Sequence, residues 1–326
     1  MSVAAATLPP GRSSLRRFIG DYGQEIVVFL SIVVLFIIVG AYNPRFLSDT
    51  NINSIFAGNA YIAIAAIGMS LVIISGHIDV SVGSLIGVIA TIAGTLAVSG
   101  APIWLAWTLP ILFSIAVNAS VGALVAYMKI PSIVVTLGML SILKGGLISA
   151  TGGAWISDMP PAFMIAQYRL LGIPSAVYFM VILTAIAAFA MRYTSFGRAI
   201  YAVGGNAEAA RAAGLSPERT VVGVFALHGL FAGIAGLLFA TQLQVIQSTV
   251  PPNLELTVIT ASVIGGVSIL GGTGTVIGST LAAILFAAIN SALVFLNISA
   301  YWLRAVLGLM ILATVLADMI RRRRAA

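Results

Sequence analysis

The ten residues SGHIDVSVGS, Ser75 to Ser84, stand between the apolar runs IAIAAIGMSLVII and LIGVIATIAG. An acid between two such runs is costly: near a bilayer centre a charge costs on the order of 2.5 to 3.5 kcal/mol, so Asp79 belongs where protein or water surrounds it. Gly76 and Gly83 let the backbone break or turn there, freeing N–H groups for the carboxylate, and the hydroxyls of Ser75, Ser81 and Ser84 are further donors. Asp79 thus reads as the cap of a broken or re-entrant segment, ahead of direct contact with a substrate. His77 beside it reads as a local hydrogen-bonding group.

The flanking runs recur from end to end. Of 326 residues, 60% are hydrophobic and 8% charged, with a mean hydropathy of +1.11. A soluble domain carries roughly 25% charged residues. Apolar stretches of about 17 to 25 residues are each long enough to cross a hydrocarbon layer of roughly 30 Å as a helix. The expected fold is therefore an all-α polytopic membrane protein with about ten transmembrane helices. The spans are Ile26–Tyr42, Ile55–Ile74, Gly83–Ser99, Ile103–Met128, Ser132–Ala150, Ser175–Met191, Val221–Thr241, Leu256–Leu270, Val276–Leu296 and Tyr301–Met319, of which the third and eighth are the shortest. A polar, disordered tail is expected over 1–22, one membrane domain over 23–320 with a long loop at 192–220, and a basic tail over 321–326. No cleavable signal peptide is expected, because the first apolar run is full length and no small-residue cleavage site follows it.

The net charge of +7 does not point to nucleic acid, since the basic residues sit at the ends of apolar runs rather than among aromatics on a polar domain. With the N-terminus inside, Arg12, Arg16, Arg17, Lys129, Arg192, Arg198, Arg211, Arg219 and Arg321 to Arg324 fall on the cytoplasmic side, against Arg45 and Arg169 outside. That asymmetry favours an even number of spans with both termini cytoplasmic. Lys144 and Arg304 lie within spans, and the long stem of Lys144 lets it snorkel. Cysteine is absent and the only histidines are His77 and His228, which excludes disulfide frameworks and Cys/His metal sites.

The stretch VIISGHIDVSVGSLIG, Val72 to Gly87, lies without gaps on VIGGVSILGGTGTVIG, Val263 to Gly278. Identities fall at Val72, Ile73, Ile78, Gly83, Ile86 and Gly87, while Leu270 faces Asp79. This reads as an internal repeat, and interrupted apolar segments at matching places in two halves point to a transporter's pathway. Asn118 and Asn290 read as helix-to-helix hydrogen-bonding groups.

The loop RYTSFGRAIYAVGGNAEAARAAGLSPERT, Arg192 to Thr220, carries its own punctuation. Asn206 suits the N-cap of a short helix, Glu208 its first turn, and Gly214 a left-handed end, after which Ser216 and Pro217 start the next span. The resulting helix is mostly alanine. It is too short to be stable alone, and its small side chains suit a groove on a partner. No phosphate-binding loop, paired-histidine metal site or Ser/His/Asp set is present, so neither ATP hydrolysis nor an intramembrane enzyme has support on this chain.

Together, SGHIDVSVGS, FGRAIYAVGGNAEAARAAGL and GGVSILGGTGTVIG resemble a membrane permease of a bacterial ABC importer of the ribose and autoinducer-2 type, from about Tyr42 to Asp318. KIPSIVVTLGML and TGGAWI are most similar to the autoinducer-2 and deoxysugar or pentose branches. The resemblance implies a second permease chain, identical or related, two ATPase chains that hold the ATP and Mg, and a soluble or periplasmic substrate-binding protein. No cofactor is implied on this chain. It also implies that Gly197, Arg198, Gly205, Asn206, Glu208, Ala209, Ala210, Arg211 and Gly214 form the ATPase-coupling loop. Gly76, Asp79, Ser81, Gly83 and Ser84 match the first glycine-rich motif; Gly265, Gly266, Gly271, Gly272 and Gly274 match the second. Family members commonly carry Gly or Asn where His77 stands. The implied activity is import of a monosaccharide (rhamnose, ribose or xylose) or autoinducer-2 across the cytoplasmic membrane by alternating access. The competing readings are an ion-coupled secondary transporter using Asp79 and a non-transporting scaffold or channel.

Overall fold

The computed structural model describes residues 14–299 apart from 243, 244, 250 and 252, with scattered residues between 301 and 316. The expected span Tyr301–Met319 falls largely outside the described residues, and the basic tail lies outside them entirely. The chain is helical. In order come α1 (Ser14–Tyr42), a 3-10 turn (Pro44–Leu47), α2 (Asp49–Gly58), α3 (Ala60–Ile74), α4 (Val82–Val98), α5 (Ile103–Tyr127) and α6 (Ser132–Thr151). A loop with β1 (Trp155–Ile156), β2 (Arg169–Leu170) and β3 (Ile173–Pro174) follows, then α7 (Ser175–Tyr193), α8 (Ser195–Gly205), α9 (Ala207–Ala212), α10 (Pro217–Gln242), β4 (Ile246–Gln247), α11 (Leu254–Ile264) and α12 (Val276–Phe295).

Seven helical stretches among the described residues are long and apolar enough to span a bilayer: Tyr22–Tyr42, Asp49–Ile74, Ile103–Tyr127, Ser132–Thr151, Ser175–Tyr193, Pro217–Gln242 and Val276–Phe295. The second includes a break at Asn59, which has φ −120° and ψ 7°. Of the two spans read as shortest, the third keeps its length as α4, at 17 residues, whereas the eighth is shorter as a helix, with α11 at 11. The expected span Leu256–Leu270 is corrected: Gly265 caps α11 and Gly266 turns with φ +100°, so residues 265–275 form a turn rather than helix. The N-terminal expectation also changes, because α1 begins at Ser14, inside the stretch read as a disordered tail, and bends at Tyr22.

Helix α3 is buried along nearly its whole length. It packs on α10, α11 and α12, while α10 also packs on α4 and α5. Apolar side chains exposed on α1, α6 and α7, such as Phe29, Ile38, Ile142 and Phe189, form the outer shell suited to lipid. At one end, β1 pairs antiparallel with β4, matching Trp155 with Gln247 and Ile156 with Ile246. Helices α8 and α9 lie at the other end.

Close backbone approach holds the centre together. A Cβ on Gly229 of α10 would lie 2.6 Å from the Ser114 carbonyl oxygen of α5, and the Ser114 hydroxyl donates to the Gly229 carbonyl at 2.7 Å. Without a hydrophobic driving force between helices in lipid, such packing and hydrogen bonding supply the association. Gly229→Ala is expected to cost about 1–3 kcal/mol through overpacking, read as a lower thermal midpoint of the detergent-purified protein by circular dichroism.

Candidate functional site

The turn after α3 and the turn after α11 end their helices the same way. Gly76 has φ +88°, its N–H bonds the Ile73 carbonyl, and the His77 N–H bonds the Val72 carbonyl. Gly266 has φ +100°, its N–H bonds the Val263 carbonyl, and the Val267 N–H bonds the Ser262 carbonyl. Both are glycine C-caps with the paired hydrogen bonds of a Schellman turn. The geometry matches Gly76 with Gly266, not with Val267 as the gapless alignment has it. The register is therefore off by one at the cap, and the second turn, 265–275, is four residues longer than the first, 75–81.

These turns meet each other and the end of α8. The Gly272 N–H donates to the Ile74 carbonyl at 2.8 Å. A Cβ on Gly204 would lie 1.7 Å from that same oxygen, one on Gly271 would lie 2.7 Å from the Gly204 oxygen, and one on Gly272 would lie 2.8 Å from the Gly205 Cα. Gly76 and two glycine pairs, Gly204–Gly205 and Gly271–Gly272, thus pack backbone on backbone. Gly204 was not singled out from the sequence; the adjacent GG was the only signal, because the contact joins segments far apart in the chain.

Further bonds secure the second turn. Tyr201 of α8 donates to the Gly274 carbonyl at 2.8 Å. Burial, and then the nearby Glu25 charge, raise the Tyr201 pKa, so its hydroxyl remains a donor at neutral pH. Gln24 donates to the Ile264 carbonyl at 3.1 Å, and Thr275 donates to Glu25 while capping α12. Gly265 packs against the Ser279 backbone and Gly274 against Val267.

The loop helix has the expected punctuation. Asn206 accepts from the Ala209 N–H at 2.9 Å, Glu208 sits in the first turn, and Gly214 has φ +86°. Gly197 is capped by Thr194 and packs on Met191, while Arg198 is exposed and donates to the Tyr193 carbonyl. Arg211 pairs with Glu218. Helix α8, directly before it, was not foreseen. Nor was the orientation of Ala210, which is 5% exposed and faces its own chain, whereas Glu208, Ala209 and Arg211 face outward. Beside α9 lies a cleft of about 510 Å³ lined by His77, Lys129, Ser132 and Arg211 among others.

Asp79 is fully buried. Its Oδ1 accepts from the Ser81 N–H at 2.7 Å and the Ser81 hydroxyl at 2.6 Å. Its Oδ2 lies 3.3 Å from His228 Nε2 on α10, also fully buried, an ion-pair distance without aligned hydrogen-bond geometry. The other expected donors are corrected: Ser75 bonds the Val72 carbonyl, and the Ser84 hydroxyl is buried with no partner among the described residues. Gly83 does not break a helix either. It lies inside α4, where a Cβ would come 2.5 Å from Glu255 Oε2 of α11. Nothing local in the sequence marks His228; only the rule that buried charges find partners points to it. Lys144 is exposed on α6.

Removing one member of a buried pair leaves the other uncompensated, at a cost of about 3–5 kcal/mol, whereas replacing both is far milder. His228→Leu is therefore expected to destabilise the purified protein, with Asp79→Asn added to it recovering at least half the loss in a double-mutant cycle of thermal midpoints.

Comparison with known proteins places this geometry. A family model described as branched-chain amino acid transport system, permease component, matches residues 51–315. The chain is 36% identical over 296 residues to the autoinducer 2 import system permease protein LsrC of Shigella flexneri, covering 90% of this chain and 86% of that one. The protein of the same name from Escherichia coli K12/DH10B is 36% identical over the same shares, and that from Salmonella typhi is 36% identical over 90% and 85%. No solved structure matches. These relatives are membrane components of importers rather than enzymes, and with its helical, lipid-suited bundle the chain belongs to this family of transport-system permease components.

Proposed function

We propose that the chain is the translocating subunit of an ATP-driven ABC importer in the bacterial cytoplasmic (inner) membrane, moving a monosaccharide or autoinducer-2 inward by alternating access. The junction of Gly204–Gly205 with both glycine turns carries this reading. It sets the end of α8, one residue before α9 on the loop read as the ATPase grip, backbone on backbone against the end of α3 and the turn after α11, with no side chain between. Packed backbone transmits displacement because protein interiors are dense and nearly incompressible. The basic-residue asymmetry supports about ten spans with both termini, and hence α8 and α9, in the cytoplasm. The similar turns after α3 and α11 support an internal repeat of half-spanning units.

The working assembly is then a pair of permease chains, identical or related, over two ATPase chains that bind ATP and Mg, with a binding protein delivering solute from outside. The autoinducer-2 relatives favour a furanosyl signal or a small sugar of the ribose, xylose or rhamnose type. Closure of the ATPase chains drives the α9 helices, which switch the bundle between outward- and inward-open packings.

Proteoliposomes holding permease, ATPase and binding protein are expected to accumulate labelled solute with ATP and Mg. Accumulation driven by an ion gradient without the ATPase would overturn the proposal in favour of a secondary transporter. Gly204→Val is expected to abolish uptake while the ATPase still copurifies. Because Ala209 faces outward, Ala209→Trp is expected to strip the ATPase from the purified complex at little cost in stability. Ala210→Trp is instead expected to lower the thermal midpoint, since its pocket belongs to this chain.

A further inference from the structure

The carboxylate of Glu255 is an acid in an apolar setting that nothing in the fold uses. Residue 255 lies in the first turn of α11, half-buried, with its Oε2 seated on Gly83 in the first turn of α4. Its carboxylate has neither hydrogen bond nor ion pair among the described residues. Its depth follows from the packing of α4 and α11. Along α4, Gly94 packs on Ile246 and Ile156 at the strand end, and Gly83 is eleven residues earlier, ~16 Å away at 1.5 Å per residue. Along α11, ten residues separate Glu255 from Gly265, the start of the turn that reaches α8, a further ~15 Å. Glu255 therefore lies near the middle of the bundle.

A carboxylate at that depth does not face lipid. Its surroundings are open nonetheless: Leu256 is 54% exposed and Asn253 is exposed beside it. The open side must meet water or another chain. Ser84, next to Gly83, adds a buried hydroxyl with no partner. Neither Ser81 nor Asn253 caps its helix with a side chain, so first-turn N–H groups of α4 and α11 stay available.

We propose that Glu255, seated on Gly83, contacts the transported solute, and that its carboxylate accepts hydrogen bonds from the hydroxyl groups of a neutral, polyhydroxylated molecule. This rests on the importer reading above. The chemistry selects the class: an ionised carboxylate only accepts, while free N–H and Ser84 O–H groups donate, so the ligand both gives and takes hydrogen bonds. A neutral sugar or hydrated furanosyl compound does both; an anion is repelled by Glu255.

The absence of cysteine gives a direct test. Glu255→Cys, in the full complex with partner cysteines replaced, is treated with a charged methanethiosulfonate reagent in proteoliposomes, with ATP and binding protein that is empty or loaded with D-ribose or autoinducer-2. Labelling of residue 255 is expected, and it is expected to slow when the binding protein is loaded with one of these. No labelling in any nucleotide state, or labelling indifferent to both solutes, would overturn the proposal. In parallel, Glu255→Gln is expected to cut the import rate about tenfold at saturating binding protein, the loss of one charged hydrogen bond. Assembly and thermal midpoint are expected to stay unchanged. A purely structural acid would instead lower the thermal midpoint and leave the rate per folded complex unaltered. Failure of the wild-type complex to import either solute would count against the importer reading, whereas the labelling result reports on residue 255 alone.

Discussion

Everything at the α8–α9 end depends on one carbonyl, that of Ile74. It accepts the Gly272 N–H at 2.8 Å, and it leaves no room for a Cβ on Gly204. At the end of a helix the last carbonyls lack intrahelical partners, and a buried carbonyl left unpaired costs free energy. The end of α3 solves this by borrowing a donor from the turn after α11. That solution works only if no side chain intervenes, which explains glycine at 204, 271 and 272 together. Satisfying one backbone group thus welds three distant segments into a single mechanical joint.

The polar groups inside the bundle obey the same economy less completely. Asp79 satisfies one oxygen with Ser81 and sets the other against His228, so the first glycine turn is tied to α10 as well as to α8. Ser84 and Asn118 stay unpartnered in the described residues. In a low-dielectric interior such groups are costly, and proteins keep them where water, motion or a ligand gives something in return. Ser84 lies beside Gly83, which packs on Glu255 where α4 and α11 meet. One of these groups, Ser84, lies in the first turn of a short helix, while Asn118 lies within α5.

Local features were legible in the sequence, and features made by distant contacts were not. Asn206, Gly214 and Pro217 mark helix boundaries through their own backbone chemistry, and the structure places boundaries at all three. The long apolar runs became helices because each satisfies its backbone internally. By contrast, the end of α11 was overrun by several residues, because VIGGVSIL is apolar throughout and hydropathy does not register a glycine cap. The one-residue error in matching Gly76 to the second turn has the same source: identities in Gly-rich apolar sequence outvoted the capping geometry. Ala210 looked like any other alanine of a surface helix, and only the packing of α9 shows which face turns inward. His228 and Glu255 carry no local signal. Their meaning lies in what sits opposite, Asp79 and Gly83.

The shortness of α4 and α11 follows from this arrangement rather than from weak helical propensity. A span that runs unbroken from face to face satisfies its own backbone everywhere but at its ends, and so offers a solute nothing polar at mid-depth. Starting two helices inside the bundle, at Val82 and Leu254, places first-turn N–H groups there instead. The glycine turn at 75–81 leads into the start of α4, while the turn at 265–275 follows the end of α11, and both turns are held by the same α8 junction. Because Asp79 of the first turn is set against His228, that turn is tied to α10 as well as to α8, and the start of α4 is fixed between them. The joint that satisfies the Ile74 carbonyl is therefore continuous in the chain with the start of α4 and with the end of α11, the two helices that meet where Gly83 packs on Glu255.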